Sequence, residues 1–255
     1  MVPFYFGAPD TQLFGVYYPP AGAGLHQDGV LISAPVAHEH IRTHMAIRQL
    51  ALSLAAAGRH VLKFDYYGVG DSAGKSAEGG VAQWQRDLVT ASRELTDISG
   101  ARRLSVVGIR LGASLAVGAA NELQGLRELV LWDPVVDGET YLDDLRRAGG
   151  VPSPDHGDEE ILGFPFSQEM IASIGAVNLL VHDRPLPGPV HLAVSEERPE
   201  YDRLKEALVS AGNTVDTTFV PEPAGWDRFD GHDEVLVANA MVQAIGEQLA
   251  TSRPS

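Results

Sequence analysis

The residues whose types and spacing bear most directly on chemistry lie in Leu104-Ser-Val-Val-Gly-Ile-Arg-Leu-Gly-Ala113. Four residues of β-strand character run into Gly108, then Arg110, then Gly112, and an Ala-rich helical pattern follows. A strand, a sharp turn and a helix, with glycines two before and two after the central residue, form the architecture of a nucleophile elbow. The glycines answer a steric need: the tip is strained, and only very small neighbours let strand and helix approach so closely. The usual tip is Ser; here it is Arg110. A guanidinium stays protonated, so it neither attacks an acyl carbon as serine does nor accepts a proton. Two roles remain for it. It is a fixed cation that anchors an anionic group or a developing oxyanion, or it is a structural cation paired with a neighbouring carboxylate. Both need the glycines, so the glycines do not choose.

Other residues invite chemistry with less support from their surroundings. Asp133 follows Trp132 at the carboxyl end of a strand-like run and is placed to meet Arg110. His38, His40 and His44 suggest a metal, but no carboxylate completes a known ligand pattern, and helix-surface histidines are the commoner case. Gly68-Val-Gly-Asp-Ser-Ala-Gly74 has the wrong spacing for a dinucleotide loop. Ser72 and Ser114 lack an elbow and read as structural. The expectation is therefore no cofactor and no metal.

Composition bounds the partners. A chain of 255 residues, 44% hydrophobic and 21% charged, suits one large α/β domain. A net charge of −15 disfavours nucleic acid and anionic membrane, which need a cationic face. The absence of cysteine excludes disulfides, thiolate metal sites and a Cys nucleophile. Met1–Asp10 has no basic region or long apolar run and does not read as a signal peptide, so a cytoplasmic protein is expected.

Positioning falls to alternating strands and helices. Phe4–Phe6 and Leu13–Tyr18 predict a hairpin; Gly29–Ser33 and His60–Asp65 predict strands around a helix from about Arg42 to Ala57. A helix over Gln83–Ile98, the elbow strand and its helix, and a strand at Glu128–Pro134 follow. From Val135 to Val181 the alternation breaks into Pro/Gly clusters with two short helical patterns, Tyr141–Arg147 and Gln168–Ile174, as expected of a lid insertion. Pro189–Val194, a helix over Glu200–Ala211, Thr214–Val220 and a helix over Glu234–Ala250 close the chain. The pattern predicts a mostly parallel, doubly wound sheet with an antiparallel amino-terminal hairpin, in a single domain spanning 1–255.

With these elements in hand the chain resembles the α/β-hydrolase superfamily over nearly its whole length. Phe64-Asp-Tyr-Tyr-Gly-Val-Gly-Asp-Ser72, the elbow and a late His232 carry the resemblance. Within it the chain is similar to the serine-aminopeptidase-like branch. Gly108-Ile-Arg-Leu-Gly-Ala113 with Leu129-Val-Leu-Trp-Asp-Pro-Val-Val-Asp-Gly138 resembles the hydrolases associated with exosortase systems, some of which carry a similar Arg.

The resemblance implies roles. His232 takes the place of the catalytic base, and Glu197, with Glu196 as its neighbour, takes that of the acid after the strand ending at Val194. Asp133 is an alternative partner for His232. An oxyanion hole would use the amide of Leu111 and the loop of Val36, Ala37 and His38, although Pro35-Val36 stands where relatives carry His-Gly. Two functions follow. The first is an enzyme without a serine nucleophile, acting on a small-molecule or carrier-bound acyl substrate, ester or thioester, by His-assisted hydrolysis or by elimination or rearrangement. The second is an inactive homologue that binds a ligand or partner, which an Arg110 locked in a salt bridge would favour.

Overall fold

The computed structural model describes the chain except residues 22–26, 153–157, 182–183, 223–224, 227–235 and 252–255. Strands β1 (Val2–Phe6) and β2 (Leu13–Tyr18) form the expected hairpin, and β3 (Asp28–Ser33) leads into helix α1 (Ala37–Ala56). Next come β4 (His60–Phe64), α2 (Val81–Ser99), β5 (Arg103–Ile109), α3 (Leu111–Ala119) and β6 (Leu126–Trp132). The segment after β6 holds α4 (Gly138–Gly149), β7 (Gly150–Pro152), β8 (Glu159–Ile161), β9 (Phe164–Phe166) and α5 (Gln168–Gly175). The chain then runs through β10 (Val190–Val194), α6 (Pro199–Ser210), β11 (Val215–Phe219) and α7 (Asn239–Thr251).

Eight strands form one sheet in the order β1-β2-β4-β3-β5-β6-β10-β11. It is antiparallel from β1 to β4 and parallel from there to β11. Strand alternation divides the core between its two faces. Val106 of β5 belongs to the core cluster that holds Leu88 of α2 and Leu115 of α3, whereas Val107 belongs to the one that holds Leu50 of α1 and Ile245 of α7. Among the described residues no helix is long and apolar enough to cross a membrane.

Besides a closing helix that begins at Asn239 and not at Glu234, two details depart from expectation. Helix α1 begins at Ala37, five residues before the predicted Arg42, so His38, Glu39 and His40 form its first turn. Glu39 suits that place because a carboxylate complements a helix amino terminus, and Thr43 Oγ1 donates to its carbonyl, 2.8 Å. The second is a small antiparallel sheet, β7-β8-β9, within the segment after β6. Its three-residue strands are too short to give a readable alternation.

Candidate functional site

The parallel strands β5 and β6 end side by side, and each delivers a polar residue in a left-handed backbone conformation: Arg110 at φ 53° and Asp133 at φ 42°. Such strain in a non-glycine residue costs roughly 1–3 kcal/mol and persists only where the surroundings enforce it. At Arg110 the glycines of the elbow allow the close packing that holds it. A Cβ on Gly108 would collide with the backbone of Ala113, and one on Gly112 with the carbonyls of Ser33 and Ala34. Strand β5, helix α3 and the end of β3 therefore approach at backbone distance, and Arg110 holds the tip.

At the tip, the guanidinium is enclosed. Arg110 is 5% exposed; its Nε donates to Glu39 Oε1 at 2.9 Å, and a terminal nitrogen donates to the Asp133 carbonyl at 3.0 Å. The Tyr141 hydroxyl of α4 donates to the second Glu39 oxygen at 3.0 Å, and Glu39 is 1% exposed. The Arg110 Cζ lies 5.7 Å from the Tyr141 ring centre and 5.0 Å from that of Trp226, both within cation–π range. Burial alone would lower the pKa of Arg110, but Glu39, with Tyr201 and Tyr141 beside it, raises it above the ordinary arginine value. Burial, then the Glu39 charge, drives Tyr141 well above the usual phenol range, so it stays a donor.

Asp133 is held separately. Its carboxylate accepts from the Ser195 amide at 2.7 Å, the Ser195 hydroxyl at 2.6 Å and the Trp226 indole at 2.8 Å. Arg110 thus meets the main chain of Asp133, while the side chain of Asp133 ties the end of β6 to the end of β10. Tyr201 of α6 lies near both, its pKa raised by burial and next by Asp133.

The remaining candidates scatter. Leu111 is fully buried as the first residue of α3. Val36 and Ala37 lie where β3 passes into α1, and His38 is half-buried on the first turn of that helix. Glu197 is exposed, and its neighbour Glu196 pairs with Arg198 at 2.9 Å. His232 lies outside the described residues, and with it any pairing to Glu196, Glu197 or Asp133. The two spare serines have structural partners: Ser114 Oγ donates to the Val135 carbonyl and Ser72 Oγ to the Asp65 carbonyl.

Sequence reasoning passed over Glu39 and Tyr141. A signal for Glu39 existed: β3 neighbours β5, so an acid shortly after β3 is one of few able to reach the tip of the elbow. No comparable signal marks Tyr141, which arrives from the segment after β6.

Beside this cluster, and not lined by Arg110, is a cleft of about 190 Å³. Val36, Ala37 and His40 line it from the start of α1, Val69 from the loop after β4, and Trp84 and Phe166 are among its other lining residues. His40 Nε2 stands 3.6 Å from Asp65 Oδ1. Among the described residues no group of three or more His, Cys, Asp or Glu could hold a metal ion.

No protein-family model and no curated protein sequence matches the chain. Solved structures do. The esterase domain of a Rhodothermus marinus protein is similar at 17% identity over 98% of this chain and 96% of its own, with a TM-score of 0.67. Alpha/beta hydrolase domain-containing protein 10 from mouse is similar at 17% identity over 98% of both chains, TM-score 0.64. The thioesterase domain from the curacin biosynthetic pathway gives 18%, 98% of both chains and 0.58. The chain has the α/β-hydrolase fold.

Proposed function

We propose that this protein keeps the α/β-hydrolase fold for binding and runs no acyl-transfer chemistry at its elbow. One observation carries the reading: the cation that replaces the nucleophile is enclosed by Glu39, the Asp133 carbonyl and two aromatic rings. A guanidinium already matched to a buried carboxylate has little left to offer a substrate anion, and freeing it would leave Glu39 buried and uncompensated. Arg110 is then a clamp. It joins the end of β5 to the first turn of α1, and through Tyr141 it holds the segment after β6, which acts as a lid over the elbow. The resemblance of Gly108–Ala113 and Leu129–Gly138 to the exosortase-associated hydrolases, some of which carry a similar elbow arginine, supports membership of that branch.

The test is turnover of short-chain p-nitrophenyl esters and acyl thioesters by the purified protein. The expected rates match the buffer background and do not change in His232→Ala. Turnover above background that is lost in His232→Ala would establish the His-assisted hydrolase instead, since removing a general base costs roughly 10²–10⁴-fold.

A further inference from the structure

The cleft beside the first turn of α1 is distinct from the Arg110 cluster, and we propose that it is a binding site for a neutral, single-ring aromatic group of the alkylphenol class. The inference deepens the binding reading and rests on it, because it takes the cleft as a seat for a ligand and not as a channel to a nucleophile.

Size sets the first limit. A dry cavity of about 150 Å³ is enough to hold benzene. The cleft, at about 190 Å³, has room for one ring with one or two small substituents.

Lining sets the second. Trp84, Phe164 and Phe166 contribute rings and Met170 a thioether, groups that favour an aromatic guest through edge and sulfur contacts. The Trp84 indole already donates to the Tyr67 carbonyl, so its ring presents apolar surface to the cleft. Ile41 and Ser76, both exposed, bring the lining out to solvent. The Ser76 hydroxyl offers a hydrogen bond to one polar substituent there.

Charge sets the third. No lysine, arginine, aspartate or glutamate is among the described residues that line the cleft. Burial holds His40 below the ordinary histidine range, against the opposing pull of Asp65, so its ring is neutral near pH 7. The charges that act on it from behind are the Asp65 carboxylate and, more weakly, the Lys63 ammonium, neither of which lines the cleft, and the cation at the elbow is matched to Glu39. An anionic ligand would lose hydration there and meet no lysine or arginine in the lining.

The experiment is calorimetric titration of the full chain at neutral pH with p-cresol and with 4-methylbenzoate, which share a ring and a methyl group and differ in charge. p-Cresol is expected to saturate one site and to bind at least about tenfold more tightly than 4-methylbenzoate. Val69→Trp, which places a larger side chain into the cleft from a half-buried loop position, should weaken p-cresol by about tenfold or more while far-UV circular dichroism is unchanged. If that variant does not fold, Ser76→Phe narrows the same cleft from an exposed position. Equal or tighter binding of 4-methylbenzoate, no saturable binding of p-cresol, or p-cresol binding indifferent to the cleft variants overturns the proposal. Fluorophosphonate labelling of the same sample tests the binding reading separately: labelled native protein would reveal an activated serine elsewhere in the chain and overturn that reading, and unlabelled protein without p-cresol binding overturns only the ligand.

Discussion

Glu39 and His40 are consecutive on the first turn of α1, yet they serve two unlike regions. Glu39 enters the elbow, where the described charges are met by opposite charge or hydrogen bonds: Arg110 by Glu39, Glu39 by Arg110 and Tyr141, Asp133 by Ser195 and Trp226. His40 borders the cleft, whose described lining carries no acid or basic residue other than itself. The two places differ in what their walls hold. At the elbow, burial goes with compensated charge, which makes the region rigid and leaves little for a ligand. The cleft sets mostly apolar surface around open space, which suits a neutral guest. The same turn of helix thus separates a structural polar centre from a recognition surface.

The contrast breaks most sharply at Glu39. Glu39→Ala leaves the Arg110 guanidinium buried without its carboxylate, and urea unfolding should show a loss of about 3–5 kcal/mol. Next comes Tyr141→Phe. It keeps the ring over Arg110 and removes only the donor to Glu39, so about 1.5–3 kcal/mol is expected, the range for a hydrogen bond to a charged group. Ser195→Ala deletes one of three donors to Asp133 and should cost less, about 1–2 kcal/mol.

The smallest effect comes from the cleft side and depends on pH. His40 has a folded pKa below its ordinary value, chiefly through burial, so the unfolded chain binds its proton more readily. Stability should therefore fall as pH drops through the ordinary histidine value of about 6.5 toward the lower folded value, and be flat with respect to this group above it. Denaturant melts from neutral to mildly acidic pH should show that slope, and His40→Gln should reduce it.

Much of this was legible beforehand, for reasons that can be named. The buried parallel strands read as continuous apolar runs, and the glycines of the elbow are demanded by backbone contacts that no other residue permits. Arg110 could be assigned to the tip for that reason. What its charge does could not be read from its own neighbourhood, since both its anionic partner and the phenol behind that partner come from elements distant in the chain. Glu39 looked like part of a histidine-rich loop, because the first turn of α1 lacks an obvious capping residue and starts at Ala37, itself at φ 52°. Asp133 was recognised as a residue at a strand end, but the direction of its carboxylate, toward Ser195 and Trp226 and away from Arg110, depends on how β6 and β10 register. The three-residue strands of β7-β8-β9 carry too little pattern to be seen.

The central claim is that Arg110 and Glu39 act as one structural unit in the unliganded protein. A double-mutant cycle with Arg110→Met and Glu39→Leu, read by equilibrium urea unfolding, tests it most directly. Each single change strands a buried charge, whereas the pair removes both, so the double variant should lose less than the sum of the singles, with a coupling of about 2–3 kcal/mol. Single losses that add to the double loss within about 0.5 kcal/mol would mean that the two side chains do not depend on each other, and would return Arg110 to the role of an available cation.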